Sequence, residues 1–251
     1  MQPLTLIVPF EVSEGQENVM RQQWHEAAEP LSHAPGFLSA RLYEIDTEVE
    51  DYVRHIPGLQ WVGKRRFRFV NIAEWTSLSL YEAAIRSRRE GKPISFPSYP
   101  AYYRIYGDFG KAVQHIASGR PGAGPAFTFI VPFEVPEGQE DAMHQQWNAV
   151  ITGMGQVEGI PVEGSFGPGL YEIDTEAEEH LRSFLSSQLG EGPDARAKFR
   201  FVNVAGWASL ERYEAVIRSR RYLKPISFPG HGSYYRVVAE YIGSREEKNA
   251  L

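Results

Sequence analysis

The stretch Ile7–Trp24, IVPFEVSEGQENVMRQQW, returns at Ile130–Trp147 as IVPFEVPEGQEDAMHQQW, identical at 14 of 18 positions. Tyr43–Asp46 (YEID) returns at Tyr171–Asp174, and Phe67–Pro97 returns at Phe199–Pro229 with 23 of 31 identities. The offset grows from 123 (Ile7 to Ile130) to 128 (Tyr43 to Tyr171) to 132 (Phe67 to Phe199), so the second copy carries extra residues in two loops. A unit of this length far exceeds the roughly 20–50 residues of a solenoid repeat, so each copy reads as a small domain. The expected division is 1–110 for the first repeat, 111–125 for a linker containing Gly119–Pro125 (GRPGAGP), 126–243 for the second repeat and 244–251 for a polar tail.

Within a copy, LTLIVPFEV is apolar and rich in branched residues, which predicts a strand. Ser13-Glu14-Gly15-Gln16 reads as a capping box for a helix whose Val19/Met20, Trp24, Ala27/Ala28 and Leu31 recur at helical spacing. Pro35-Gly36 stops it. Phe37–Asp46 and Phe67–Trp75 follow as strands, then a helix over 78–90 capped by Thr76 or Ser77, and a last strand over Tyr102–Tyr106. The resulting order, βαββαβ, is the ferredoxin-like arrangement, an antiparallel sheet with both helices on one face. Its bare face needs cover, so the expected fold class is α+β, two tandem ferredoxin-like units packed as an intramolecular dimeric α/β barrel. A further homodimer of the whole chain is left open.

Composition excludes several function classes. The chain has 26 basic and 32 acidic side chains and a net charge of −6, without a dense Lys/Arg run, which disfavours nucleic acid and anionic membranes as partners. There is no cysteine, hence no disulfide, thiolate nucleophile or Cys-based metal site. The opening MQPLTLIVPFEV lacks a basic leader and is interrupted by Pro9 and Glu11, which gives the expectation of a cytoplasmic protein. No G-x-G-x-x-G follows a strand, so a dinucleotide held in a Rossmann fold is not expected.

Strand period places Phe67, Phe69, Asn71, Ala73 and Trp75 on one face, and Phe199, Phe201, Asn203, Ala205 and Trp207 on the corresponding one. An amide among aromatics must find partners for its carbonyl and its NH2, which are either nearby backbone or a ligand. Six residues after each Trp stands a Tyr, Tyr81 and Tyr213, on the sheet side of the second helix. Indole and phenol put polar tips on apolar bodies, and Asn, Trp and Tyr together suit a mostly apolar pocket for a small aromatic. Trp24, Tyr43, Phe67, Phe69 and Arg86, with Trp147, Tyr171, Phe199, Phe201 and Arg218, are the further substrate-binding candidates. Glu29/His33, Glu140/His144 and Glu176/His180 have helical spacing but read as solvated pairs, and no metal site is expected.

Pro35-Gly36-Phe37, then Phe69-Val-Asn71-Ile-Ala-Glu-Trp75 with Tyr81, resembles the antibiotic biosynthesis monooxygenase family of dimeric α+β barrels. The resemblance implies catalytic roles for Asn71, Trp75 and Tyr81 and for Asn203, Trp207 and Tyr213. The second copy departs from it in having GSFGPGLYEID in place of the Pro-Gly-Phe element. The tandem form is similar to oxygenases that open the B ring of angucycline polyketides. From this follows the expectation of an oxygenase acting on an aromatic polyketide with dioxygen. No tightly bound cofactor or haem is implied; reduced FMN or FAD as a diffusible cosubstrate, with a separate flavin reductase as partner, is left open. A cyclase or lyase on the same fold, a non-catalytic binder of a hydrophobic ligand, and activity in only one copy are the alternatives.

Overall fold

The computed structural model describes residues 3–56, 66–87, 93–108, 126–155, 165–189, 198–219 and 226–243. The expected linker 111–125 and tail 244–251 lie outside the described residues. The first half runs β1 (Leu4–Phe10), α1 (Glu17–Ser32), β2 (Phe37–Ile45), α2 (Thr47–Arg54), β3 (Phe69–Trp75), α3 (Leu78–Ser87), β4 (Ala101–Asp108). The second runs β5 (Phe127–Phe133), α4 (Glu140–Gly155), β6 (Ser165–Ile173), α5 (Thr175–Leu189), β7 (Phe201–Trp207), α6 (Leu210–Ser219), β8 (Ser233–Ile242). The strands close into one antiparallel barrel in the order β1-β3-β2-β8-β5-β7-β6-β4. Each half therefore keeps the order expected of a ferredoxin-like sheet, and β2 with β8 and β4 with β6 form the two seams. Closing the sheet removes the bare edges that two separate sheets would expose.

Alternation along the strands separates two cores. Ile7, Tyr43, Val70, Ile72 and Tyr103 meet Ile130, Tyr171, Val202, Val204 and Tyr235 inside the barrel. The other face of β3 (Phe69, Ala73, Trp75) packs under Met20, Trp24 and Ala28 of α1 and Tyr81 and Ala84 of α3. Burial pushes the Tyr43 phenol up to about 12 and raises those of Tyr103 and Tyr235 as well. The last two donate across the halves, Tyr103 to the Phe199 carbonyl at 2.8 Å and Tyr235 to the Phe67 carbonyl at 3.0 Å.

The order differs from the expected βαββαβ in one respect. A helix follows the second strand of each half, α2 and α5, and it crosses to the other half. Asp46 and Asp174 cap these helices, each carboxylate accepting a backbone N–H at 3.1 Å, from Val49 and Ala177. Val49 and Val53 of α2 pack with Trp207, Tyr213 and Tyr234, while Ala177 of α5 joins the core of the first half. Glu50 accepts the Tyr234 N–H at 3.0 Å and Glu178 accepts that of Tyr102 at 2.6 Å. Burial raises the Glu178 carboxyl above its usual range. A raised carboxyl favours the folded state below its unfolded value and loses that contribution as pH climbs through the native one. Glu178→Ala is expected to cost roughly 1–3 kcal/mol by orphaning a buried N–H, whereas Glu178→Gln keeps an acceptor, matches the parent at low pH and becomes the more stable of the two as pH rises, since the amide has no charge to bury. Thermal unfolding between pH 4 and 8 checks both.

The connection into β2 depends on Gly36, whose φ of +83° is left-handed. A Cβ there would stand 2.5 Å from Leu80 Cδ1 and 2.7 Å from Thr76 Oγ1, and the Gly36 carbonyl receives the Thr76 N–H at 2.8 Å. Gly36→Ala is expected to destabilise by roughly 1–3 kcal/mol, read as a lowered denaturant midpoint. Of the expected caps, Ser77 serves α3, its Oγ accepting the Leu80 N–H at 3.3 Å. The capping box over 13–16 does not form: Gln16 is the N-cap of α1 and makes no side-chain cap bond, because the segment is a backbone turn closed by Gln16 N–H to the Ser13 carbonyl. Among the described residues no helix is long and apolar enough to cross a membrane.

Candidate functional site

The site lies in the layer between the barrel wall and its helices. Strand β3 puts Asn71, Ala73 and Trp75 on this side, and α1 brings Trp24 over the amide. The Trp24 indole N–H donates to Asn71 Oδ1 at 2.8 Å, and Trp147 donates to Asn203 Oδ1 at 3.2 Å. An indole N–H is only a donor, so the contact assigns the carbonyl end of each amide to the Trp and turns the NH2 end, a donor, the other way.

Four residues along the strand, Trp75 stands edge-on to Tyr81 at 5.3 Å between ring centroids, and Tyr81 to Tyr102 at 5.5 Å. The Tyr102 hydroxyl donates to that of Tyr81 at 3.0 Å. The second half repeats this with Trp207, Tyr213 and Tyr234, whose two hydroxyls are hydrogen-bonded. Burial, then the neighbouring Tyr81, Glu178 and Glu82, hold the Tyr102 phenol well above its ordinary value. Tyr102 therefore stays a phenol at neutral pH.

Each site is completed from the other half. Beside Tyr81, the buried Glu82 has its Oε1 2.7 Å from Nε2 of His180 on α5. At the corresponding place in the second half, the Tyr52 hydroxyl of α2 donates to Glu214 at 2.5 Å. Among the described residues the Trp207 indole N–H is buried without a hydrogen-bond partner.

Of the residues singled out from the sequence, Trp24, Phe69, Asn71, Trp75 and Tyr81 share one buried layer. Their counterparts divide between two adjoining clusters, Trp147 and Phe201 in one, Trp207 and Tyr213 in the other. Several others lie elsewhere. Tyr43 and Tyr171 face the barrel interior, because the strand period sends them to the side opposite Leu42 and Leu170. Phe67 and Phe199 precede β3 and β7 and pack on each other at 5.4 Å at one end of the barrel. Arg86 and Arg218 lie on the outer helix faces, about half exposed, and ion-pair with Glu82 at 3.9 Å and Glu214 at 2.5 Å. Tyr102, Tyr234, Glu50, Glu178 and His180 were not singled out as site residues. The signal for the tyrosines was present as a shared SYPAYYR/GHGSYYR pattern; the α2 and α5 residues needed the capping Asp in YEIDTE to be read as a helix start.

Where Phe67 meets Phe199, the two halves are clasped. Arg66 donates to Glu11 and to Tyr99, both at 2.8 Å, reaches Glu134 at 3.4 Å, and lies over the Tyr99 ring at 4.9 Å. Lys198 and His231 approach the same Glu134 oxygen at 3.3 and 2.9 Å. A shallow hollow of about 600 Å³ adjoins this cluster, lined by Glu134, Gln139, Lys198 and Phe228 among others. Two of the spaced Glu/His pairs take other partners: Glu140 bonds Arg200, His144 stacks on Tyr106 at 3.6 Å, and His180 faces Glu82. Among the described residues no three His, Asp or Glu side chains are grouped to hold a metal ion.

Fold and site together define a closed α+β barrel carrying an Asn-Trp-Tyr layer in each half. No protein-family model and no curated protein matches the chain. Among solved structures it is similar to an anthrone oxidase-like protein, with a TM-score of 0.56 and 13% identity over 100% of this chain and 98% of that one. It is also similar to a protein of Fusobacterium nucleatum subsp. nucleatum provisionally described as a monooxygenase, with a TM-score of 0.51 and 7% identity over 96% and 94% of the two chains. At these identities the likeness establishes a shared fold.

Proposed function

We propose that the chain is an oxygenase of polycyclic phenols or anthrones of the aromatic-polyketide type, working with dioxygen and without metal or haem. The observation that carries this reading is the orientation of Asn71. With its carbonyl committed to Trp24, the amide presents N–H to an incoming carbonyl or phenolate oxygen. Asn71 and Trp75 are four residues apart on one strand face, about 13 Å at a rise of about 3.3 Å per residue, with the small Ala73 between them. That span matches the length of a planar molecule of three or four fused rings, which would place its oxygen on Asn71 and its reacting edge toward Trp75 and Tyr81. Structural likeness to an anthrone oxidase-like protein supports the same chemistry.

In the reaction so read, a deprotonated anthrone gives one electron to dioxygen, the radical pair recombines as a carbon-bound peroxide, and loss of water leaves the quinone. One oxygen atom enters the carbonyl and the other leaves as water with the two displaced hydrogens. Asn71 stabilises the developing oxyanion. The hydrogen-bonded Tyr81–Tyr102 pair, in which Tyr102 keeps its proton at neutral pH, supplies a proton to the departing oxygen. Burial of the layer keeps water from the radical pair. The alternative electron source is a diffusible reduced flavin.

The test is aerobic turnover of an anthrone and of an angucycline-type phenol, followed by mass spectrometry with and without reduced flavin and repeated without dioxygen. Oxygenated product that vanishes without dioxygen is the expected result, and its response to flavin identifies the electron source. Unchanged substrate under every condition overturns the reading.

A further inference from the structure

The two layers contain the same Asn, Trp and Tyr residues but differ in the size of the apolar side chains around them. Through the repeat, Ala28 of α1 corresponds to Ile151, Ala84 of α3 to Val216, and Ala177, which α5 lends to the first half, to Val49, which α2 lends to the second. At these three places the second half carries three, two and two more carbon atoms, together more than a benzene ring. The strand beneath differs in the same sense. Leu4 and Leu6 of β1 stand where β5 has Phe127 and Phe129, Leu4 opposite Trp75 and Phe127 opposite Trp207. Phe129 stacks on Tyr234 at 4.9 Å, and Phe127 stands edge-on to Tyr213 at 5.7 Å and to Tyr234 at 5.8 Å. The second tyrosine pair is thus walled by rings where the first meets aliphatic chains. Phe37 runs the other way, packing on Trp75 where the second copy has Ser165.

We propose that the polycyclic phenol binds only in the first-half site, and that the second-half site is filled by its own side chains and acts as a scaffold. The ligand class rests on the function proposed above; the choice between the halves rests on Ala28, Ala84 and Ala177. A core closes around small residues only in part, so alanines on three helices that share one core leave room that Ile and Val take up. Ala28, Ala84 and Ala177 are then the residues that set how large a ring system is accepted, and the last of them makes the site depend on the other half.

The test is calorimetric titration of the full chain with 1,8-dihydroxyanthraquinone, a planar phenol already at the oxidised level. One equivalent per chain is expected. Ala28→Ile with Ala84→Val, copying the second half, is expected to weaken binding about tenfold or more while near-ultraviolet circular dichroism stays that of the parent. If that pair does not fold, Ala177→Val, a two-carbon change copying Val49, carries the test with the same expected direction. Two equivalents in the unmodified chain, no binding, or affinity untouched in folded closing variants would overturn the proposal. Turnover is read separately: one-site binding without oxygenation leaves this inference standing and removes the oxygenase reading, and oxygenation with two equivalents bound does the reverse.

Discussion

Asn71→Ala is expected to slow oxygenation by about 10²- to 10³-fold, the range found when a positioned oxyanion donor is removed. The loss belongs in kcat, because the hydrogen bond strengthens as charge develops on the substrate oxygen, while apolar burial of the rings and hence KM change little. Trp24→Phe separates orientation from presence. It keeps an aromatic ring beside the strand but removes the N–H that engages Asn71 Oδ1, so the amide is free to turn either end to the substrate. A loss of about tenfold is expected, matching one neutral hydrogen bond of roughly 1.4 kcal/mol. Asn203→Ala should have a far smaller effect, since the second-half site is the filled one. Steady-state kinetics on variants with unaltered circular dichroism decide the matter; a folded Asn71→Ala that turns over at the parent rate removes the residue from the mechanism.

The second large effect is on stability. Arg66→Ala removes the donor that joins Glu11, Tyr99 and Glu134 and that lies over Tyr99 and Phe67, at the end of the barrel where the halves meet. A loss of roughly 2–3 kcal/mol is expected for charge-assisted bonds of this kind, toward the lower end because both carboxylates are about a third exposed. The pH dependence has a definite sign. The Arg66 hydrogen bond holds the Glu11 carboxyl below its ordinary range. For Glu134, partial burial pushes upward, but His231 and Lys198 outweigh it and the carboxyl is lowered as well. Lowered carboxyls contribute stability above their unfolded values, near 4.5, and lose it as pH falls through the native ones. His231 and Lys198 remain in Arg66→Ala, so the difference follows Glu11: denaturant midpoints of parent and variant should differ most near pH 7 and converge as pH falls through the lowered native value of Glu11. A constant difference over that interval would show that the ion pairs carry none of the effect.

The sequence by itself determined the unit, its strands and its site face. A repeated IVPFEV can only be a strand twice over, and a period of two along Phe69–Trp75 puts Asn71, Ala73 and Trp75 together whatever surrounds them. Tyr81 followed from helical spacing after a Ser77 cap. Period, however, says which residues share a face and not which face meets what. Tyr43 and Tyr171 were candidates because they are aromatic and repeated, and closure of the barrel put them in its interior. Phe67 and Phe199 have the right parity but lie beyond the strand ends, where the halves meet. The exchanged helices were legible only in part. Asp46 and Asp174 are N-caps in plain sight, yet that Glu178 and His180 serve the first site while Glu50 and Tyr52 serve the second depends on which half each helix crosses to. That choice is made by packing between residues more than 70 positions apart, which local propensity and spacing do not encode. The sequence also contains the Ala28/Ile151, Ala84/Val216 and Ala177/Val49 differences. Only the tertiary structure, by gathering the three alanines into the core that holds one tyrosine pair, and Val49 and Val216 into the cluster of the other with Ile151 in the cluster of Trp147, turns them into a difference between two sites.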